Sequence, residues 1–401
     1  MGSAIIESET LLNAHLSFLD TRVALIHIPL GIYQLFLQPI LSLLLHNDVL
    51  DNDGRPIPPD RPWMFWHPFV NISITNNECS IVCPRRQAED IFEPLLEKLP
   101  ALLRKSISIS REDYSVIVIG GEGLEAGKRV LDLTSPLALA GISIFFITSY
   151  YSDYILVPFS ARSTVISALE DRGFVFEADA DGDAGHMTNP SSPLLPSRPR
   201  NGSTSSFDFP SLAGTPPPAT VPELQTKTFK LLTRHGITPL ADPLIELVTC
   251  AAVKASTVST SASNFSEGKL QLGLTRCLTP TPPPKFLSIT LTDSESASLT
   301  LEKSLTSHFC NDGEDLLLGK DGPEQVAITL DLTDLPLEST GIVCGVASRL
   351  SDGMRGRIGE VFNMSYLSTA RAGHVIVYAD ELEVVMGAFR GGEMNGNGIG
   401  H

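Results

Sequence analysis

Apolar residues along the chain fall into short alternating runs, separated by longer segments in which they recur every three or four positions. The first kind reads as strands and the second as helices. Their order repeats four times: strand, helix, strand, strand, helix. The first copy takes Arg22-Val-Ala-Leu-Ile-His-Ile28 as a strand, 31–45 as a helix, 69–75 and 79–84 as a hairpin, and 87–99 as a helix. The second takes 114–120, 128–140, the hairpin about 147–157 and a helix about 165–169. The third is read as a strand over 228–233, a helix over 240–253, strands over 286–292 and 298–302, and a helix over 305–309. The fourth runs through a strand at 325–332, a helix at 341–350, the hairpin about 367–377 and a helix about 385–389. Residues 23–45 carry no formal charge and are long enough to span a bilayer. Pro29 and Gly31 break that stretch, so it reads as a strand joined to a core helix, without membrane insertion.

Direct comparison of the copies supports the repeat. Ile147-Thr-Ser-Tyr-Tyr-Ser-Asp-Tyr-Ile-Leu-Val157 lies over Leu367-Ser-Thr-Ala-Arg-Ala-Gly-His-Val-Ile-Val377 at an offset of 220 residues. Upstream the offset is 213, which places a seven-residue insertion in the later copy within 351–361. Pro, Ser, Gly and Asp dominate 178–224, which reads as a disordered linker. Residues 256–285 read as a long loop and 391–401 as a flexible tail. The expected fold is therefore α+β: tandem ferredoxin-like βαββαβ modules at 13–110, 114–177, 225–315 and 325–390, with antiparallel sheets and helices on one face.

Composition narrows the function. A formal charge of −17 argues against a nucleic-acid surface. The six cysteines are scattered, and Cys79 and Cys83, on one side of a strand, read as small buried hydrophobes in a reducing cytoplasm. Nine histidines form no metal-binding spacing, so neither a metal nor a cofactor is expected. Ile119-Gly-Gly-Glu-Gly-Leu-Glu-Ala-Gly-Lys128 is out of register for a phosphate loop, and Glu122 and Glu125 would repel phosphate. No catalytic constellation stands out, and the chain is read as a non-enzyme. A strand-to-helix turn beside an extendable sheet does offer helix N-terminal amides for a carboxylate, which suits a ligand of amino-acid size.

Ser135-Pro-Leu-Ala-Leu-Ala-Gly-Ile-Ser-Ile-Phe-Phe-Ile-Thr-Ser-Tyr-Tyr-Ser-Asp-Tyr-Ile-Leu-Val157 resembles the ACT domain, and in particular the second ACT module of the CASTOR-type cytosolic arginine sensors. Gly341-Ile-Val-Cys-Gly-Val-Ala-Ser-Arg-Leu350 and Tyr366-Leu-Ser-Thr369 are similar to that family's fourth module, and Arg22-Val-Ala-Leu-Ile-His-Ile-Pro29 to its first strand. The resemblance implies a cytoplasmic, non-catalytic sensor of a small molecule, an amino acid, that controls a GATOR-type complex upstream of the TOR kinase. A homodimer is compatible with it. By position it implies Ser143 and Ile144 at the ligand's backbone end, Gly341, Ile342 and Val343 in the fourth-module turn, and Thr369 and Gly373 along the pocket. Two acidic positions of that family fall here on Gly373 and Ser339, with Glu338 adjacent, while Asp153 is acidic in the second module. A guanidinium buried without carboxylates is heavily penalised, so arginine itself is not the expected ligand. The alternative is an interaction scaffold of the same modules that has lost its ligand.

Overall fold

The computed structural model describes residues 15–45, 62–120, 126–177, 218–253, 260–311, 314–336, 339–354 and 363–390. The first copy holds β1 (His15–Ile28), a 3-10 turn (Leu30–Phe36), α1 (Leu37–Leu45), β2 (Phe69–Thr75), β3 (Cys79–Pro84) and helical turns over 85–98. The second holds β4 (Tyr114–Gly120), α2 (Ala126–Leu139), β5 (Phe145–Thr148), β6 (Asp153–Pro158) and α3 (Arg162–Glu170). After α4 (Val221–Arg234) come β7 (Leu247–Ala252), α5 (Thr260–Leu278), β8 (Phe286–Thr292) and β9 (Ser298–Glu302). The last copy is β10 (Gln325–Asp331), α6 (Ile342–Met354), β11 (Ser365–Ser368), β12 (Ala372–Tyr378) and α7 (Leu382–Phe389).

The third copy departs from the sequence reading. Residues 228–233 are helical, within α4, and not a strand. Leu224, Thr228 and Leu232 are its buried face, at a four-residue spacing. Thr220 Oγ1 accepts the Glu223 amide at 3.4 Å, and the Glu223 carboxylate accepts the Ala219 amide at 3.0 Å, so the helix starts on a variant of the capping box. The expected linker therefore ends before Val221; residues 178–217 lie outside the described residues. Residues 240–253, expected as a helix, contain β7. Nearly all of β7 is buried, and a short run that is apolar but for Thr249 carries no clear period to tell strand from helix. The segment 256–285, expected as a loop, carries α5, whose Leu270, Leu274, Cys277 and Leu278 are buried.

The sheets also differ from the expected separate modules. Twelve strands form one antiparallel ring in the order β7-β9-β8-β2-β3-β1-β4-β6-β5-β11-β12-β10, closed by Leu247 of β7 against Gln325 of β10. Each copy alone would leave exposed strand edges, and those edges pair with one another instead. The β2–β8 seam is continuous, from Phe286 opposite Thr75 to Thr292 opposite Phe69. The β1 strand serves two copies, pairing Val23–Ile28 with β3 and both His15–Phe18 and Arg22–Val23 with β4, the β4 ladder shifting register between Phe18 and Arg22.

Three cores follow from this closure. Outside β1–β3 and β7–β9, Ile26, Ile72, Ile81, Leu287 and Ile289 pack with Phe36, Phe92 and Leu274. Outside β4–β6 and β10–β12, Ile117, Ile155, Ile328 and Val375 pack with Leu133, Val346 and Val385. Alternate strand residues, among them Leu25, Phe69, Val116, Tyr154, Phe286 and Ile376, form a third core inside the ring. The helices thus cover one face, as expected, but the other face is buried too. That is why β2 and β8 are buried at every position. Polar inward residues at this seam bond one another: the Asn71 amide donates to Ser288 Oγ and Thr290 Oγ1, each at 3.1 Å.

Candidate ligand pocket

The β5–β11 seam is built differently from β2–β8. One ladder pair, Ile147 with Leu367, sits at its centre. On either side a hydroxyl replaces a carbonyl: the Phe146 amide donates to Ser368 Oγ at 2.9 Å, and the Tyr366 amide to Thr148 Oγ1 at 3.1 Å. The two bonds are related by the same 220-residue offset that relates the copies in sequence. Beside this seam lies a pocket enclosing about 50 Å³.

Five of the residues expected at a site meet there: Ile144, Ile342, Val343, Thr369 and Gly373 all line the pocket, with Ser339. Ser143 and Gly341 are not among its walls. Gly341 has φ +78°, and its outer side is covered by α4: an added Cβ would lie 2.6 Å from Leu224 Cδ1. Thr228 Oγ1 donates to the Gly341 carbonyl at 3.1 Å, so α4 takes the place expected for ligand at this turn. Sequence reasoning missed Leu332, Leu335, Tyr366 and Arg371, which also line the pocket. The signal for Arg371 was a lone cation in the turn of the aligned hairpin.

Gly373 has a structural reason. Tyr366 is buried, and a Cβ at 373 would collide with its hydroxyl. The ring thus fills space next to the position where the resemblance called for an acid. Burial pushes the Tyr366 hydroxyl well above its ordinary pKa, which keeps it a neutral donor. At the corresponding place in the second copy, Asp153 is buried and Arg129 Nη1 reaches its carboxylate at 3.2 Å. Burial raises the Asp153 pKa, opposed by the Arg129 charge and by hydrogen bonds from Thr148 and Arg129. The acid there is consumed in an internal pair. Residues 121–125 and 355–362, which hold Glu122, Glu125 and most of the insertion, lie outside the described residues, as does Glu338.

The pocket hairpin is anchored on the opposite wall of the ring. The Glu78 carboxylate, buried, accepts the Arg371 amide at 2.6 Å and lies 2.5 Å from His27 Nδ1. Ser80 Oγ accepts the Ala370 amide at 3.0 Å. The other half mirrors this: Ser298 Oγ accepts the Tyr150 amide at 2.8 Å, and Glu295 accepts the hydroxyls of Ser152 and Tyr154 at 2.5 and 2.9 Å. Each hairpin is thereby tied to a sheet that its own copy does not contribute.

Among the described residues, no group of three or more His, Cys, Asp or Glu is placed to hold a metal ion. Cys79 and Cys83 are buried as expected, with Cys83 pushed up to about 12 by burial, whereas Cys310 is exposed. No helix among the described residues is long and apolar enough to cross a membrane.

Residues 109–171 match the family model for the ACT domain. ACT domains are regulatory modules that bind small molecules such as amino acids. The matched segment contains β4 to α3 and supplies the pocket wall at Ile144. No curated protein matches the chain. Among solved structures, aspartate kinase from Synechocystis is similar at 12% identity and a TM-score of 0.30, covering 98% of this chain and 58% of the kinase. The ligand-free regulatory subunit of aspartate kinase from Thermus thermophilus is similar at 16% identity and a TM-score of 0.24, covering 38% of this chain and 95% of the subunit. A Vibrio cholerae protein of unknown function is similar at 17% identity and a TM-score of 0.25, covering 42% of this chain and 98% of that protein.

Proposed function

We propose that this chain is a non-catalytic regulatory protein that binds a free amino acid in the pocket between Ile144 and the β11–β12 hairpin. The observation that carries the reading is the convergence of Ile144, Ile342, Val343, Thr369 and Gly373 on one pocket beside an ACT-domain segment. The four βαββα copies are taken as divergent tandem ACT modules of the CASTOR type, merged through their edges into one ring. On this reading the protein is cytoplasmic and its partner is a GATOR-type complex upstream of the TOR kinase. Binding would be read out through the hairpin, because Arg371 and Ala370 are tied to Glu78 and Ser80 on the far wall.

Affinity purification of the full chain with and without an amino-acid mixture tests this. A partner set that includes GATOR components and changes with the mixture supports the reading; a partner set indifferent to it removes the sensor. The second reading, a scaffold without ligand, draws on Tyr366 filling space at Gly373 and on the small pocket volume of about 50 Å³. It calls for a constant partner set.

A further inference from the structure

Resting on the proposal that the pocket holds a small molecule, we infer that its ligand is a dicarboxylate of acidic-amino-acid size and that Arg371 receives one of the carboxylates. The charge of the walls carries the inference. Among the described residues lining the pocket, Arg371 is the one charged side chain, and none is acidic. Its guanidinium has no hydrogen-bond or carboxylate partner among the described residues; the Glu78 contact is made by its backbone amide. An arginine at a pocket wall with its planar donors unused is suited to a carboxylate, which it can grip with two parallel hydrogen bonds.

Two further donors point the same way. Ser339 Oγ is buried with no hydrogen-bond partner among the described residues, which is costly unless a ligand or water supplies one. Ile342 and Val343, at the start of α6, form part of the wall, and the first amides of a helix lack intrahelical acceptors and sit at the positive end of its dipole. Arg371 and the α6 terminus come from separate elements, so each can take its own carboxylate. Phe145, Leu332, Leu335 and Tyr366, also among the walls, are apolar or aromatic and suit a short hydrocarbon spacer. A cationic amino acid would meet a like charge at Arg371 and no described counter-charge. A bulky neutral side chain would meet the Tyr366 ring, whose hydroxyl already fills the space beside Gly373.

The test is isothermal titration of the full chain with L-aspartate, L-glutamate, succinate, L-leucine and L-arginine, repeated on Arg371→Gln, Arg371→Lys and Ser339→Ala. Acidic ligands should bind the parent chain, more weakly as salt is raised. Arg371→Gln should lose at least tenfold, Arg371→Lys should keep part of the affinity, and Ser339→Ala should lose severalfold. Unchanged thermal melting of the variants separates loss of contact from loss of fold. If melting shifts for Arg371→Gln, the ligand ranking and salt dependence of the parent chain decide instead. Binding of leucine or arginine in preference to the acids, undiminished in Arg371→Gln, would overturn the ligand class and leave the proposed function standing. Silence with every amino acid would overturn both.

Discussion

At the residue scale, the clearest finding is what stands where an acid was expected. The sequence shows that position 373 carries no carboxylate, but not that Tyr366, on the neighbouring strand, occupies the space beside it. That contact joins β11 to β12 and needs a folded hairpin to be seen. Gly373→Ala should therefore destabilise the protein by about 1–3 kcal/mol through overpacking against the Tyr366 hydroxyl, measured by urea denaturation. His374, next in the chain, faces the inner core, stacks edge-on to Phe286 and bonds Thr329 Oγ1 at 2.9 Å. Burial lowers its pKa to about 3 from 6.5. Because the unfolded chain takes up that proton first, stability from this group is complete above pH 6.5 and lost as pH falls toward about 3. Replacing His374 with Gln should flatten the fall in denaturation midpoint between pH 7 and pH 5. An equally steep fall in the variant would assign the acid sensitivity elsewhere.

At the element scale, strands and helices with a clean period were legible, and those without one were not. The apolar pattern predicts strands over 114–120 and 325–332, and the structure has strands at Tyr114–Gly120 and Gln325–Asp331. The helix α4 was hidden because it begins in a Pro- and Thr-rich stretch that resembles a linker, although its capping pair, Thr220 and Glu223, was present in the sequence. This helix matters to the pocket, since Leu224 and Thr228 close the outer side of the turn at Gly341. Leu224→Ala should cost about 2–5 kcal/mol, as buried leucines do, and should open that turn. Hydrogen exchange would check it: amides at the start of α6 should exchange faster in the variant, and those of β2 should not.

At the scale of the whole molecule, the order of elements in the first, second and fourth copies and the 220-residue offset were legible, while the order in the third copy and the ring were not. Local pattern fixes which residues face a core; it does not say whose edge a strand will pair with. Here each half supplies edges to the other, at β2–β8 and at β5–β11. Segments 1–217 and 218–401 should accordingly be poorly soluble when expressed apart and should associate when expressed together, checked by size-exclusion chromatography. Independent, monomeric folding of either half would mean that the seams are dispensable. The same closure bears on the pocket, whose walls come from both halves and whose hairpin is held by Glu78 across the ring. A crystal structure of the full chain grown with a mixture of the common amino acids would address the pocket itself. Ordered ligand density bounded by Ile144, Ser339, Val343, Thr369 and Arg371 is the outcome predicted. A well-ordered pocket that stays empty, or a ligand bound elsewhere, would show that these residues no longer form a binding site.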